Sequence, residues 1–216
     1  MPIATDHETE KRLAAEAAAL LVEDGMRVGL GTGSTFAYLL RALAARKLDI
    51  CCVPTSVHTE EAARALGIRV EPFERLGRLD IAIDGADQIA PDGWLIKGGG
   101  AAHTREKIVA CAAERFVVIA SSEKLVTELH APVPLELLAY GAAATLRRVA
   151  PAAIRAGVPP SPDGGLIADY LGEIRYPAEL AARLSATPGV VEHGLFAPEL
   201  VADVLVARDG RVDRIR

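Results

Sequence analysis

Phe116-Val117-Val118-Ile119-Ala120 is apolar at every position. It has none of the polar alternation of a half-solvated strand, so it belongs inside a sheet covered on both faces. That requirement constrains the rest of the chain. Leu79-Asp80-Ile81-Ala82-Ile83 reads as a second buried strand and Arg27-Val28-Gly29-Leu30 as a third, with further strands around Ile50 to Val53, at Ile68 to Val70 and at Trp94-Leu95-Ile96. Helical periods fall between them. A first helix begins at a capping box, Thr5-Asp6-His7-Glu8, carries Leu13, Ala17, Leu20 and Leu21 on one face and ends near Asp24-Gly25. A second carries Phe36, Leu39, Leu40 and Leu43, and two more cover His58 to Leu66 and Thr104 to Ala113. Strands alternating with helices at this spacing predict an α/β fold, a Rossmann-like, mostly parallel sheet with helices on both faces.

The pattern changes near Pro132-Val133-Pro134. From there the chain reads as a strand, a helix (Ala142 to Val149), a turn with a strand (Asp163 to Asp169), a helix (Pro177 to Leu184) and a strand at Val190 to His193. This βαββαβ-like order predicts a smaller inserted α+β domain of ferredoxin-like type. Asp203 to Val206 and Arg211 to Ile215 then return to the first sheet. The expected domains are residues 1–131 with 202–216, and 132–201.

Composition narrows the function. With 216 residues, 50% of them hydrophobic and 25% charged, the chain can bury one main core and a small second one, so global disorder is excluded. A net charge of -5 argues against nucleic acid and membrane surfaces as partners, since either would want a basic face. A small anion remains compatible, because a local nest of amides and a lysine can overrule the global sign. No apolar run reaches the roughly 18 residues of a membrane span, and Asp6, Glu8 and Glu10 are unlike the start of a signal peptide, so a cytoplasmic protein is expected. Cys51 and Cys52 point to opposite faces of a strand and Cys111 lies in a helix; none has metal-ligand spacing, and buried inert thiols are expected. His7, His58, His103, His130 and His193 are scattered, which predicts no structural zinc and no other metal site.

The chemistry concentrates elsewhere. Asp84-Gly85-Ala86-Asp87 follows a buried strand, Lys97-Gly98-Gly99-Gly100 comes next, and Glu106 falls in the first turn of the following helix. Strand carboxyl ends are where open α/β sheets place ligands. Three acids near one site cannot all ionise cheaply, so at least one is a candidate for a shifted pKa and for proton transfer. Alone, Glu106 is an ordinary first-turn acid. Gly31-Thr32-Gly33-Ser34-Thr35 sits where a strand turns into a helix and suits a phosphate; a structural turn and a dinucleotide site are the alternatives. The dinucleotide reading fails on detail: Gly29-x-Gly31-x-x-Ser34 lacks the third glycine, and Asp49 precedes the second strand instead of ending it. Lys124 again lies near a strand's carboxyl end, where it is either a phosphate contact or a solvated surface lysine, and Pro54-Thr55-Ser56 either lines the site or caps a helix.

Taken together, Gly29 to Thr35, Asp84 to Asp87, Ile96 to Gly100, Thr104-Arg105-Glu106-Lys107, and Pro188-Gly189-Val190-Val191 with Gly194-Leu195-Phe196 resemble the ribose-5-phosphate isomerases of the A type. The resemblance implies a metal-free, cofactor-free interconversion of D-ribose 5-phosphate and D-ribulose 5-phosphate in the pentose phosphate pathway. It implies that Glu106 carries the proton between C2 and C1, that Asp84 and Asp87 assist ring opening and move protons on the sugar oxygens, and that Lys97 with the amides of Gly98, Gly99 and Gly100 stabilises the oxyanion. Thr32, Gly33, Ser34, Thr35, Gly85, Ala86, Lys124 and Lys11 would contact the substrate. A homodimer or homotetramer is implied, with no nucleic-acid or membrane partner. Gln88 departs from the glutamate that the family often has there. Rival readings are a sugar-phosphate-sensing module, which would normally bring a helix-turn-helix that is not evident here, an amino-sugar phosphate isomerase and an acyl-CoA transferase.

Overall fold

The computed structural model describes residues 6–215. Along the chain the elements are α1 (His7–Ala19), β1 (Arg27–Leu30), α2 (Ser34–Arg46), β2 (Cys51–Pro54), α3 (Val57–Ala65), β3 (Ile81–Asp84), β4 (Gln88–Ile89), β5 (Leu95–Ile96), α4 (His103–Ala112) and β6 (Phe116–Ser121). They continue with β7 (Val133–Leu137), α5 (Ala142–Arg148), β8 (Ala152–Ile154), β9 (Leu166–Tyr170), α6 (Pro177–Ser185), β10 (Val190–His193), β11 (Leu195–Phe196), β12 (Asp203–Arg208) and β13 (Arg211–Arg214). They form two compact units. One runs through Ala86 and adds Arg105–Leu125 and the segment from Glu199; the other comprises Asp87–Thr104 and Val126–Pro198.

The first unit is a six-stranded sheet in the order β13-β12-β6-β3-β1-β2, parallel except for β13. Its apolar strands divide their side chains by the two-residue period. Val28, Leu30, Ile81, Ile83, Val117 and Ile119 join one core with α1 and α2. Gly29 faces the other way, where a Cβ would stand 2.4 Å from Val109 Cγ1 of α4. Helices therefore cover both faces, and the bare Gly29 lets α4 lie close to β1.

Several local expectations change. The Thr5 end of the capping box lies outside the described residues; Asp6 is the cap, accepting from the Glu8 amide. α1 ends at Ala19, and its fully buried face is Glu10, Ala14, Ala15, Ala18 and Ala19; of the expected face Leu13, Ala17 and Leu21 pack partly buried against the same core, while Leu20 is 71% exposed. Small side chains line the contact because the helix packs tightly on the α2 side of the core. Ile68 to Val70 is not a strand but one parallel bridge, Cys52 to Val70. Leu79 likewise makes only a bridge to Ala113 before β3 begins. Cys111 is exposed, against the expectation of a buried thiol, whereas Cys52 is buried and its thiol is pushed up to about 12 by desolvation.

In the second unit β7, α5, β8, β9, α6 and β10 follow one another as βαββαβ, and the antiparallel sheet runs β10-β7-β9-β8. Sequence patterning marks no strand at β8, which is short and mostly exposed. A second, three-stranded antiparallel sheet, β11-β5-β4, explains why the stretch Asp87–Thr104 groups here and not with residues 1–131: β5 pairs with the distant Leu195–Phe196.

Gly29→Ala is expected to cost about 1–3 kcal/mol by overpacking against Val109. Adding Val109→Ala should return part of that loss, as urea unfolding of both variants would show; equal stability of single and double variants would mean α4 is not seated on Gly29.

Candidate active site

In the first unit three neighbouring parallel strands, β1, β3 and β6, bring candidate site residues to their carboxyl ends. Asp84 closes β3 and is only 3% exposed. Its Oδ1 accepts from the Thr32 amide at 3.1 Å and the Gly85 amide at 2.7 Å. A Cβ on Gly31 would lie 1.9 Å from that same oxygen, so residue 31 must be glycine for the carboxylate to fit. The loop is fixed from behind as well. Thr59 Oγ1 donates to Gly31 O, Thr32 Oγ1 and Ser56 Oγ lie 3.1 Å apart, and Ser56 caps α3 through the Thr59 amide. Pro54-Thr55-Ser56 thus supports the loop and caps the helix together. Gly33, at φ +104, is the N-cap of α2, and it and Ser34 are exposed, which leaves the first turn of a 13-residue helix facing solvent.

Glu106 lies in the first turn of α4 and is 5% exposed. Lys124 ends a short 3-10 turn directly after β6, half-buried beside Glu123 at 3.5 Å. α1 reaches that turn through Glu10, whose carboxylate accepts from the Ser122 amide at 2.9 Å and from the Ser122 hydroxyl. Burial pushes the Glu10 carboxyl up, but these Ser122 bonds and His7 outweigh it, so it titrates below the usual range. The next residue, Lys11, donates to Glu8 at 2.7 Å; that bond, together with Glu8 and Glu123 charge, raises its ammonium above the usual value. The two lysines assigned to phosphate are therefore tied to the same Glu10–Ser122 contact.

In the second unit Asp87 Oδ2 accepts from the Gly99 amide at 2.7 Å, and a Cβ on Gly99 would come within 2.9 Å of the Asp87 carboxylate. Lys97 ends the β5 run and is 3% exposed, its Nζ over the Phe196 ring at 5.4 Å from the centroid. Its amide donates to Gly194 O at 2.9 Å, and a Cβ on Gly194 would stand 2.1 Å from Lys97 O. The distant Gly194-Leu195-Phe196 run is thus the seat of Lys97. Gly98, at φ +103, must also be glycine because His103 fills the space its Cβ would need.

Residues 51–211 match the family model for ribose 5-phosphate isomerase A (phosphoriboisomerase A). The chain is 48% identical over 219 residues to ribose-5-phosphate isomerase A of Natronomonas pharaonis, covering 95% of this chain and 96% of that protein. It is 45% identical over 222 residues to the Caulobacter sp. protein of the same name, covering 96% and 98%. The ribose 5 phosphate isomerase A of Neisseria gonorrhoeae superposes with a TM-score of 0.92 at 31% identity, covering 97% of each chain. The chain belongs to the ribose 5-phosphate isomerase A family.

Some site features of this family member were not legible in its sequence. Arg155, Asp169 and Glu136 carry no local motif, yet Arg155 Nη1 donates to Gly98 O at 3.1 Å and Gly99 O at 3.0 Å. Gln88 has a clear structural use. Its Oε1 accepts from the His130 amide at 2.9 Å and its Nε2 donates to His130 O at 2.8 Å, and a glutamate could not make the second bond. Gly31→Ala is expected to leave the protein folded but lower isomerase turnover about a hundredfold by displacing Asp84; steady-state kinetics with circular dichroism would check this, and unimpaired turnover would show that the Asp84 position is not critical.

Proposed function

We propose that the protein interconverts D-ribose 5-phosphate and D-ribulose 5-phosphate through an enediolate, as a cytoplasmic enzyme of the non-oxidative pentose phosphate pathway. The observation that carries this reading is the buried Asp84 carboxylate, held by loop amides at the carboxyl end of β3. Membership of a family named for this isomerisation supports it, as does a D-ribose-5-phosphate isomerase, 34% identical to this chain, whose structure holds phospho-erythronic acid. The relatives named above do not favour a sugar-phosphate sensor.

The chemistry needs a base, a proton carrier for the oxygens and a field that stabilises negative charge, because a proton beside a carbonyl is only weakly acidic. Glu106 takes the proton from C2 of the open aldose. The electron pair moves into the C1–C2 bond and the carbonyl oxygen becomes anionic, then Glu106 returns the proton to C1 as the ketose forms. Asp84 and Asp87 open the sugar ring and carry protons between the hydroxyls. Lys97 and the amides of the Gly98–Gly100 run stabilise the oxyanion; the amide of Gly99 also orients Asp87. The Thr32, Gly33, Ser34 and Thr35 loop, Gly85, Ala86, Lys124 and Lys11 hold the substrate, and phosphate binding is used to align C1 and C2. A homodimer or homotetramer is proposed on the resemblance alone.

Purified protein treated with EDTA should convert D-ribose 5-phosphate to the ketose. Glu106→Gln is expected to lower kcat roughly a thousandfold while sugar-phosphate binding persists, as for a group acting mainly in the transition state; loss of binding with unchanged kcat would remove Glu106 as the base. Lys124→Ala should mainly raise KM, and an unchanged KM would take Lys124 out of the phosphate site.

A further inference from the structure

A run of three glycines is the least constrained backbone a loop can have, yet the proposed oxyanion loop needs its amides aimed before the substrate arrives. The structure supplies a restraint that neither sequence pattern nor family resemblance indicated. Arg155 follows β8, and its guanidinium is divided between two tasks. Nε and Nη2 form a fork with Asp169 of β9, at 2.9 Å to Oδ2 and 2.5 Å to Oδ1. Nη1 reaches the carbonyl oxygens of Gly98 and Gly99.

Peptide planarity turns these carbonyl contacts into control of the amides, since the C=O and the following N–H of one peptide point in opposite directions. Holding Gly98 O toward Arg155 directs the Gly99 N–H away from it, where it meets Asp87 Oδ2 at 2.7 Å. Holding Gly99 O directs the Gly100 N–H away from the guanidinium in the same manner. We propose that Arg155, gripped by Asp169, is a positioning residue for the Lys97–Gly100 loop, setting the peptide planes whose amides orient Asp87 and stabilise the oxyanion; this rests on the isomerase reading above.

The small sheet anchors the other end of the loop in the same way. Thr104 Oγ1 donates to Glu136 Oε2 at 2.5 Å, and Ser161 Oγ donates to Glu136 Oε1 at 2.5 Å. Glu136 is buried, in space kept open by Gly165. Strand register pairs Pro134 with Asp169 and Glu136 with Ile167, so Glu136 and Asp169 lie on one face of the sheet. That face holds the glycine loop at both ends. The guanidinium is suited to this task because its planar fork serves a carboxylate and two carbonyls at once, a geometry an ammonium cannot reproduce. The Asp169 bonds also raise the Arg155 pKa, with Asp87 contributing, so the cation stays charged.

The test compares Arg155→Met, Arg155→Lys and Asp169→Asn with wild type, reading kcat and KM for D-ribose 5-phosphate and hydrogen exchange of the peptide spanning 97–104. Both Arg155→Met and Asp169→Asn are expected to lower kcat about tenfold to a hundredfold, the scale of a small misplacement of catalytic groups. KM should stay near the wild-type value, and exchange should quicken in 97–104 but not elsewhere in the small unit. Arg155→Lys should recover little, because the fork is lost while the charge remains. Unchanged kcat and exchange in both variants would overturn the proposal, as would a change confined to KM. Faster exchange throughout the small unit in both variants would reduce Arg155 to a structural role and also overturn it. Inactive wild type would instead refute the isomerase reading, and exchange of 97–104 would still decide whether Arg155 holds the loop.

Discussion

Asp84 is a carboxylate removed from water at the end of a buried strand, and the arrangement around it follows from meeting its cost. An isolated buried carboxylate is penalised by several kcal/mol and persists only if donors replace its hydration. Here the donors are the backbone amides of Thr32 and Gly85, and the space is the missing side chain of Gly31. The loop after β1 must therefore turn where it does. The consequences run outward through hydrogen bonds: Thr59 holds the Gly31 carbonyl, Ser56 meets Thr32 and caps α3, and Gly33 opens α2.

The second unit uses the same device, a backbone amide and bare glycines, around an exposed carboxylate. Asp87 receives the Gly99 amide, Gly98 makes room for His103, and Gly194 lets the backbone of Lys97 approach closely while Phe196 lies under its ammonium. Glycine contributes in these places by what it lacks, since each bare Cα is filled by a polar group or a backbone atom of the site. Such pre-set amides and charges suit an enediolate reaction, whose barrier falls chiefly through donors that need not reorganise as charge develops. A flexible glycine run cannot supply that by itself, which gives the Arg155–Asp169 pair and the Glu136 clasp their place in the architecture.

Much of this was legible from residue order. The apolar run at Phe116 identifies the buried strand β6, the period of Phe36, Leu39, Leu40 and Leu43 identifies the core face of α2, and Asp84 ends β3 as its position suggests. Local pattern failed where contact decided the outcome. The first helix buries Ala14, Ala15, Ala18 and Ala19 most deeply, with Leu13, Ala17 and Leu21 packed partly buried against the same core and only Leu20 of the expected face exposed, because close helix packing selects for small size, which hydrophobic periodicity does not weigh. Residues Ile68 to Val70 have strand character, yet only one bridge forms. Cys111, read as a buried thiol, is exposed on its helix.

The sequence by itself determined the alternation of strands and helices and the family, and it singled out the acids, lysine and glycines proposed to carry the chemistry, since these depend on residue type and short spacing. Tertiary structure alone decided why Gly29 and Gly31 are glycines, that Leu195–Phe196 joins β5, and that Arg155, 57 residues from Gly98, holds its carbonyl. The reason is physical. A missing Cβ, a strand partner and a guanidinium fork take their meaning from atoms brought close only by folding, and one chain read in order contains no record of those distances.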